Sequence, residues 1–187
     1  MSHLDPSLEE IIDGIDVCQK ARLNNSTLIL LYSGIDAVAS LEKLPGEPQR
    51  LSFLRWVNSY LLPGKQLPCN ALELYGARCG LVHNMAAESD LSIQGKVRPV
   101  VYSFGGASPI ESQNASDALN RGYVAVDSND LIEAFRIGVH TFWNDVLASP
   151  QRKTIVEQAI GKWLMSLSSE EFDSMVQNEI LNKWSNP

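Results

Sequence analysis

Positive charge is scarce in this sequence. Its 15 lysines and arginines are outnumbered by 22 aspartates and glutamates, so the formal net charge at pH 7 is −7. A protein that coats nucleic acid, packages it or moves along it needs a broad surface rich in lysine and arginine. The charge balance therefore argues against helicases, histone-like proteins, non-specific coating proteins and DNA groove binding. Any contact with nucleic acid is expected to be confined to a local site.

Cysteine is also rare, and the three present form no motif. Cys18, Cys69 and Cys79 are odd in number, and no two of them make a CxxC or a CxH pair. This arrangement predicts neither structural disulfides nor a zinc site. We expect reduced cysteines in a cytoplasmic protein, two of them buried in helices.

Long apolar runs are absent as well. The longest, Leu28 to Tyr32, is far too short to cross a bilayer, and the first ten residues are polar and acidic, unlike a signal peptide. The composition, 44% hydrophobic and 20% charged, is that of an ordinary folded protein. We therefore expect no membrane contact and one substantial core.

Four helices are predicted over the first half of the chain. The first opens at Asp5-Pro6, a capping residue followed by proline at the first helical position. Apolar residues recur at helical spacing over residues 6–22, 28–41, 48–61 and 70–87. Short connections between helices of this kind predict an up-and-down bundle.

The middle of the chain changes character. Residues 97–104 and 123–126 are rich in β-branched and aromatic side chains, which predicts two short strands paired as a hairpin. The polar segment 107–120 between them is predicted as a long loop or a loose turn of helix. Asp127 or Ser128 is expected to cap a fifth helix.

Two further helices are predicted after Ser149-Pro150, at about 151–166 and 169–184. The expected fold class is therefore mainly α. An up-and-down helical bundle over residues 1–149 carries a small β-hairpin insertion near 97–126. Two extra C-terminal helices over 150–187 are expected to dock on that bundle.

Histidine is the scarcest group that could move protons near neutral pH. His3 lies near the start of the chain and receives no role, and His140 lies inside the predicted fifth helix, where a packed or half-exposed residue is expected. His83 differs because it follows Arg78 with four residues between them. An imidazole can transfer protons and a guanidinium can hold a phosphate through two hydrogen bonds, which suits phosphodiester cleavage.

The spacing of Arg78 and His83 limits how they can act together. Positions five apart on a straight helix differ by about 140° in direction, so one helix does not place both on a single tight face. They can converge near a helix end, or across a two-fold axis between two copies. Gly76 and Gly80 flank Arg78 and either permit such a close helix approach or serve only as packing contacts.

The stretch from Tyr75 to Asn84, Tyr-Gly-Ala-Arg-Cys-Gly-Leu-Val-His-Asn, resembles the motif of stand-alone bacterial members of the HEPN domain superfamily (higher eukaryotes and prokaryotes nucleotide-binding). The resemblance covers about residues 6–147. It implies a helical bundle that dimerises and builds a composite site at the dimer interface. Active members of the family are metal-independent ribonucleases, often toxins or phage-defence effectors.

Carried over to this sequence, the resemblance implies that Arg78 and His83 are the catalytic pair, with Asp36 and Asn84 in support. It implies RNA or a nucleotide as ligand, a homodimer, an antitoxin protein as a possible partner, and neither a metal nor a cofactor. His83 would act as acid or base and Arg78 would stabilise charge on the phosphate. Two positions depart from the family pattern: Cys79 follows the arginine where Asn, Asp or His is usual, and Met85 stands where members paired with nucleotidyltransferase antitoxins have tyrosine.

Two other interpretations remain open at the level of sequence. The chain can be a non-catalytic HEPN-like module that binds a nucleotide or a protein, or a helical scaffold in which Asp36 pairs with Arg78 for structure alone. Five aromatic residues could stack on bases but are more typical of core or interface at their helical spacing. They are Trp56, Tyr60, Trp143, Trp163 and Trp184.

Overall fold

The structure is a computed structural model. It describes residues 4–118, 122–163, 170, 172–174 and 176–177, apart from the side chains of His83 and Asn84. The predicted fold class is confirmed, since the described chain is mainly helical with one small sheet. Within those residues, every helix is too short or too polar to span a bilayer.

Helices α1 (Pro6–Lys20) and α2 (Asn24–Ser40) form the first hairpin. Asp5 caps α1 as predicted, because its side chain accepts a hydrogen bond from the backbone N–H of Ser7 at 2.9 Å. Gly34 on α2 allows close packing on two sides. A Cβ there would lie 2.8 Å from Cγ2 of Ile11 and 3.0 Å from Cζ of Phe135. Helix α2 is consequently enclosed by its neighbours.

The third predicted helix changes its winding midway. α3 (Gln49–Trp56) continues through a π-helical turn (Val57–Leu61) into the short α4 (Leu62–Gly64). The π-turn packs against the long helix α8 (Ser128–Leu147), where Gly138 leaves room for the backbone of Tyr60. A Cβ on Gly138 would lie 3.1 Å from the Tyr60 carbonyl oxygen.

Helix α5 (Ala71–Asn84) begins with a reciprocal cap. The Asn70 side chain accepts hydrogen bonds from the backbone of Leu72 and Glu73, and the Glu73 carboxylate accepts one from the backbone N–H of Asn70. Arg98 also donates to Glu73, with 2.6 Å between Nε and Oε1. The helix ends earlier than the predicted residue 87, because Met85 takes a left-handed conformation (φ 53°) that turns the chain back.

The predicted β-hairpin is wrong. Strands β1 (Val100–Ser103) and β2 (Val124–Asp127) do pair, but in parallel, with Val100 opposite Val124. The segment between them contains helix α7 (Pro109–Ala118), where a loop or loose turn was expected. A parallel pair needs a crossover of this kind, whereas a hairpin joins antiparallel strands.

Gln113 on α7 explains part of this arrangement. Its side-chain amide donates to the carbonyl oxygen of Tyr123 at 3.2 Å and accepts from the N–H of Ala125 at 2.9 Å. These bonds pair backbone groups on the edge of β2 that faces α7. Without them, those groups would need another strand as their hydrogen-bond partner. The strand pair is joined to the bundle by a 2.5 Å hydrogen bond between the hydroxyls of Tyr102 and Tyr32.

Helix α8 forms the centre of the core. Asp127 caps it, accepting hydrogen bonds from the N–H groups of Asn129 and Asp130, in agreement with the predicted start. One face of the helix is buried, and its largest side chains there are Leu131, Phe135, Phe142 and Trp143. Between α5 and β1 lies the four-residue helix α6 (Asp90–Ile93), which passes near Gly76 of α5.

Helix α9 (Pro150–Ile160) packs on α8 and buries Val156. Arg152 ties it to the bundle, because its guanidinium donates to both carboxylate oxygens of Glu42, at 2.6 and 2.8 Å. The first predicted C-terminal helix is therefore present, though it ends before residue 166. The second, at 169–184, lies largely outside the described residues.

Candidate functional site

Arg78 and Asp36 lie together where α5 packs on α2. The Arg78 Nε donates to Oδ2 of Asp36 at 2.5 Å, and the two side chains are 17% and 16% exposed. The predicted proximity of these residues is confirmed. Burial alone would lower the pKa of the Arg78 guanidinium, but the hydrogen bond and charge of Asp36 raise it above its usual value. The Arg78 guanidinium is thus charged, oriented by Asp36 and still partly exposed to solvent.

Gln49 supports the Asp36 carboxylate from a third helix. At the start of α3, its Nε2 lies 3.2 Å from the Asp36 carbonyl oxygen and 3.4 Å from Oδ1. Both contacts are long, so they orient the acid more than they stabilise it. Asp36 is therefore held between α3 and α5, which limits the positions that the Arg78 side chain can take.

Tyr75 lies one helical turn before Arg78 and joins the same cluster. Its ring packs edge-on against Phe53, with centroids 5.3 Å apart and planes at 67°. The guanidinium carbon of Arg50 lies over the ring, 5.8 Å from its centroid. Burial raises the pKa of the Tyr75 phenol, as do the charge and hydrogen bond of Cys79, while the charge of Arg78 opposes the shift.

Sequence reasoning missed Gln49, Arg50 and the role of Tyr75. Tyr75 was detectable, because residues three and four apart on a helix are neighbours and Tyr75 precedes Arg78 by three. Nothing in the sequence relates Arg50 to this stretch, because α3 reaches α5 only through the packing of both helices in the bundle.

His83 lies in the last turn of α5, which is continuous from Ala71 to Asn84. The side chains of His83 and Asn84 fall outside the described part of the structure. The helix then stops at Met85, whose N–H donates to the Leu81 carbonyl, and the N–H of Ala86 reaches back to the carbonyl of Gly80. The spacing allowed Arg78 and His83 to converge either near a helix end or across a two-fold axis. Position 83 does lie at a helix end.

Gly76 and Gly80 accommodate a segment of the same chain. A Cβ on Gly80 would lie 2.7 Å from the carbonyl oxygens of both Ala86 and Glu88, and one on Gly76 would lie 3.0 Å from Cγ2 of Val97. These glycines therefore allow residues 86–97 to fold back onto α5. The sequence left open whether Gly76 and Gly80 permit a close approach of two helices or serve only as packing contacts. The structure shows packing contacts within one chain.

An apolar cavity of about 270 Å³ opens beside the second half of α5. Helix α2 and strand β1 form its other walls. Its lining includes Leu28, Ala77, Leu81, Val100, Tyr102 and Phe104. The polar side chain of Asn25 lies at the same cavity, which gives a mainly apolar space with one hydrogen-bonding amide.

The remaining candidate residues are dispersed. Cys69 is buried and Cys18 and Cys79 are half-buried, all three with free thiols, so only one of the two expected buried cysteines is found and it lies outside the helices. In the described chain, no three His, Cys, Asp or Glu side chains group as a metal site would require. His140 is exposed on α8.

The aromatic residues serve mainly as core. Trp56 and Trp143 are buried, at 4% and 6% exposure, and Tyr60 packs edge-on against Phe142. Trp163 is partly buried against the core, and Trp184 lies outside the described residues. For the two buried tryptophans the predicted core role is confirmed.

Comparison with protein-family models, curated proteins and solved structures finds no match to this chain. The fold and the site define a helical bundle with one crossover strand pair and a polar cluster where α2, α3 and α5 meet.

Proposed function

We propose that this protein is a metal-independent endoribonuclease of a defence or stress-response system, acting in the cytoplasm as a homodimer of HEPN-like bundles. The observation that supports the proposal most directly is the Arg78–Asp36 pair. The Asp36 carboxylate accepts a hydrogen bond from Nε of Arg78 and so fixes the plane of the guanidinium. A guanidinium must be held in a fixed plane to bind a phosphate through two hydrogen bonds. The pair is partly exposed, so a phosphate can approach it.

In the proposed reaction, the 2′-oxygen of a ribose attacks the adjacent phosphorus and the bond from phosphorus to the 5′-oxygen breaks. The products are a 2′,3′-cyclic phosphate and a 5′-hydroxyl. His83 either takes the proton of the 2′-hydroxyl or gives one to the leaving 5′-oxygen, and water or a second copy's imidazole performs the other transfer. Arg78 stabilises the negative charge that builds on the phosphate oxygens.

The deciding experiment compares the parent protein with His83→Ala on total RNA in the presence of EDTA. We expect the parent to cleave RNA with EDTA present, and the variant to be slower by a factor of about 10² to 10⁴ with an unchanged melting temperature. DNA of the same sequence should not be cut, because it lacks the 2′-hydroxyl. Equal, background cleavage by both proteins would reject the proposal.

The cavity beside α5 favours a second candidate, a non-catalytic dimeric module that binds a nucleotide or a protein. Its apolar and aromatic walls and the single amide of Asn25 suit a flat heterocycle such as a nucleobase. Under this candidate, mononucleotides bind the parent in calorimetric titration. Ala77→Leu, which would fill the cavity, abolishes that binding, and binding that survives the substitution would exclude the cavity as the site.

A further inference from the structure

Most arginines of this acidic protein are neutralised within the fold. Among the described residues, five pair with carboxylates within 4 Å, and these pairs are Arg55–Glu47, Arg78–Asp36, Arg98–Glu73, Arg136–Asp16 and Arg152–Glu42. Arg50 has no such partner within the same residues. It is exposed and rests over the ring of Tyr75, one helical turn from Arg78 along α5.

We infer that Arg50 binds a second phosphate of the RNA, next to the phosphate held by Arg78. The inference rests on the proposed function, since it takes a single-stranded RNA as the ligand. Tyr75 places Arg50 near Arg78, because its ring lies under the Arg50 guanidinium and Arg78 follows it by three residues on the same helix. Phe53 fixes that ring from the α3 side.

The charge balance explains why this position matters. A chain with a net charge of −7 repels a polyanion over most of its surface, so binding depends on the few cations that carboxylates do not neutralise. The Arg78 guanidinium is partly compensated by Asp36, whereas Arg50 contributes a full positive charge at the edge of the same cluster. An arginine held on an aromatic face by a weak cation–π contact can also move to a phosphate at little cost.

The test measures binding in a His83→Ala background, so that RNA stays intact, using the full chain and a fluorescein-labelled single-stranded RNA. Dissociation constants are determined by anisotropy at several salt concentrations for Arg50→Ala, Arg50→Lys and Arg55→Ala. Arg55 is the matched control, since it lies on the same helix, is also exposed and changes the net charge equally, but pairs with Glu47. Melting temperatures of all variants verify the fold.

We expect Arg50→Ala to bind more weakly and to reduce the slope of log K against log salt by about 0.7, the value for one lost phosphate contact on a single strand. Arg50→Lys and Arg55→Ala should keep the slope of the His83→Ala parent. An Arg50→Ala slope equal to that of Arg55→Ala overturns the inference, as does a parent that binds no RNA. RNA binding that depends on Arg50 without cleavage by the wild type would instead refute only the proposed function.

Discussion

Arg78 on α5 donates a hydrogen bond from Nε to Oδ2 of Asp36 on α2, across 42 positions of sequence. Both partners are mostly buried, and Gln49 on α3 makes long contacts with the backbone carbonyl and the other carboxylate oxygen of Asp36. Removing either partner therefore leaves a desolvated charge without its main contact. The pair links the stability of the bundle to the orientation of the proposed phosphate-binding group.

Asp36→Ala should lower the free energy of unfolding by about 1.5–3 kcal/mol, the range for a hydrogen bond to a charged group. The loss should stay below the ~3–5 kcal/mol of a fully buried pair, because both side chains retain some exposure. Urea denaturation measures it. Glu157→Ala, which removes an exposed ion pair with Lys153, is the control and should leave the midpoint unchanged. The same midpoint for both variants would show that the Asp36 pair adds no stability.

Gly80→Ala should destabilise the fold by about 1–3 kcal/mol, because the new Cβ would overlap two backbone carbonyls that cannot rotate away. Gly14→Ala is the matched control in a helix. Its Cβ would lie 3.8 Å from Cδ1 of Leu30, an ordinary contact, so the gain in helix propensity should stabilise by about 0.5–1 kcal/mol. Thermal melts should move in opposite directions for the two variants, and a stabilising Gly80→Ala would contradict the packing of residues 86–88 on α5.

Stability should fall in alkaline solution in part through Cys69. Burial raises the pKa of its thiol to about 12, so the folded state keeps a proton that the unfolded state releases near its ordinary pKa. The contribution is complete below that ordinary value and is lost as the pH rises towards 12, with a slope of up to about 1.4 kcal/mol per pH unit. Urea denaturation at pH 8, 9, 10 and 11 should give a shallower decline for Cys69→Ala than for the parent. Parallel curves would show that Cys69 does not contribute to the decline.

Arg78→Lys should impair cleavage far more than folding. Lysine keeps the charge near Asp36, but an ammonium cannot reproduce the planar two-pronged contact with a phosphate. We expect kcat/KM on a short RNA to fall by at least about tenfold, while the melting temperature drops less than in Asp36→Ala. Full activity of Arg78→Lys would mean that only the charge of residue 78 matters.

A homodimer is expected, because Arg78 and His83 stand about 140° apart around one helix and a second copy of α5 would complete the site. Sedimentation equilibrium at micromolar concentrations should return twice the chain mass of 20.6 kDa. The surface that carries Gly76 and Gly80 is covered by residues 86–97 of the same chain, so the contact should use another face of α5. A monomer at all concentrations would contradict this prediction. Arg78 and His83 could then act together only at the end of one α5 helix.

Local signals in the sequence were sufficient to predict where α1 and α8 begin. Asp5 and Asp127 cap their helices through hydrogen bonds to backbone N–H groups only two or three residues away. Their role can therefore be predicted from neighbouring residues in the sequence. The acid-arginine pair was also predictable, because a carboxylate and a guanidinium on inward stripes of packed helices satisfy each other.

Tertiary structure alone decided three features. The two strands run parallel because helix α7 carries the chain across between them, and no pattern within either strand encodes direction. Gly80 packs against the carbonyl groups of Ala86 and Glu88, which lie beside it only because the chain reverses direction at Met85. Arg50 meets Tyr75 through the packing of α3 on α5. Caps and periodicity depend on neighbours in sequence, whereas these contacts depend on how rigid helices pack, which is a property of the whole core.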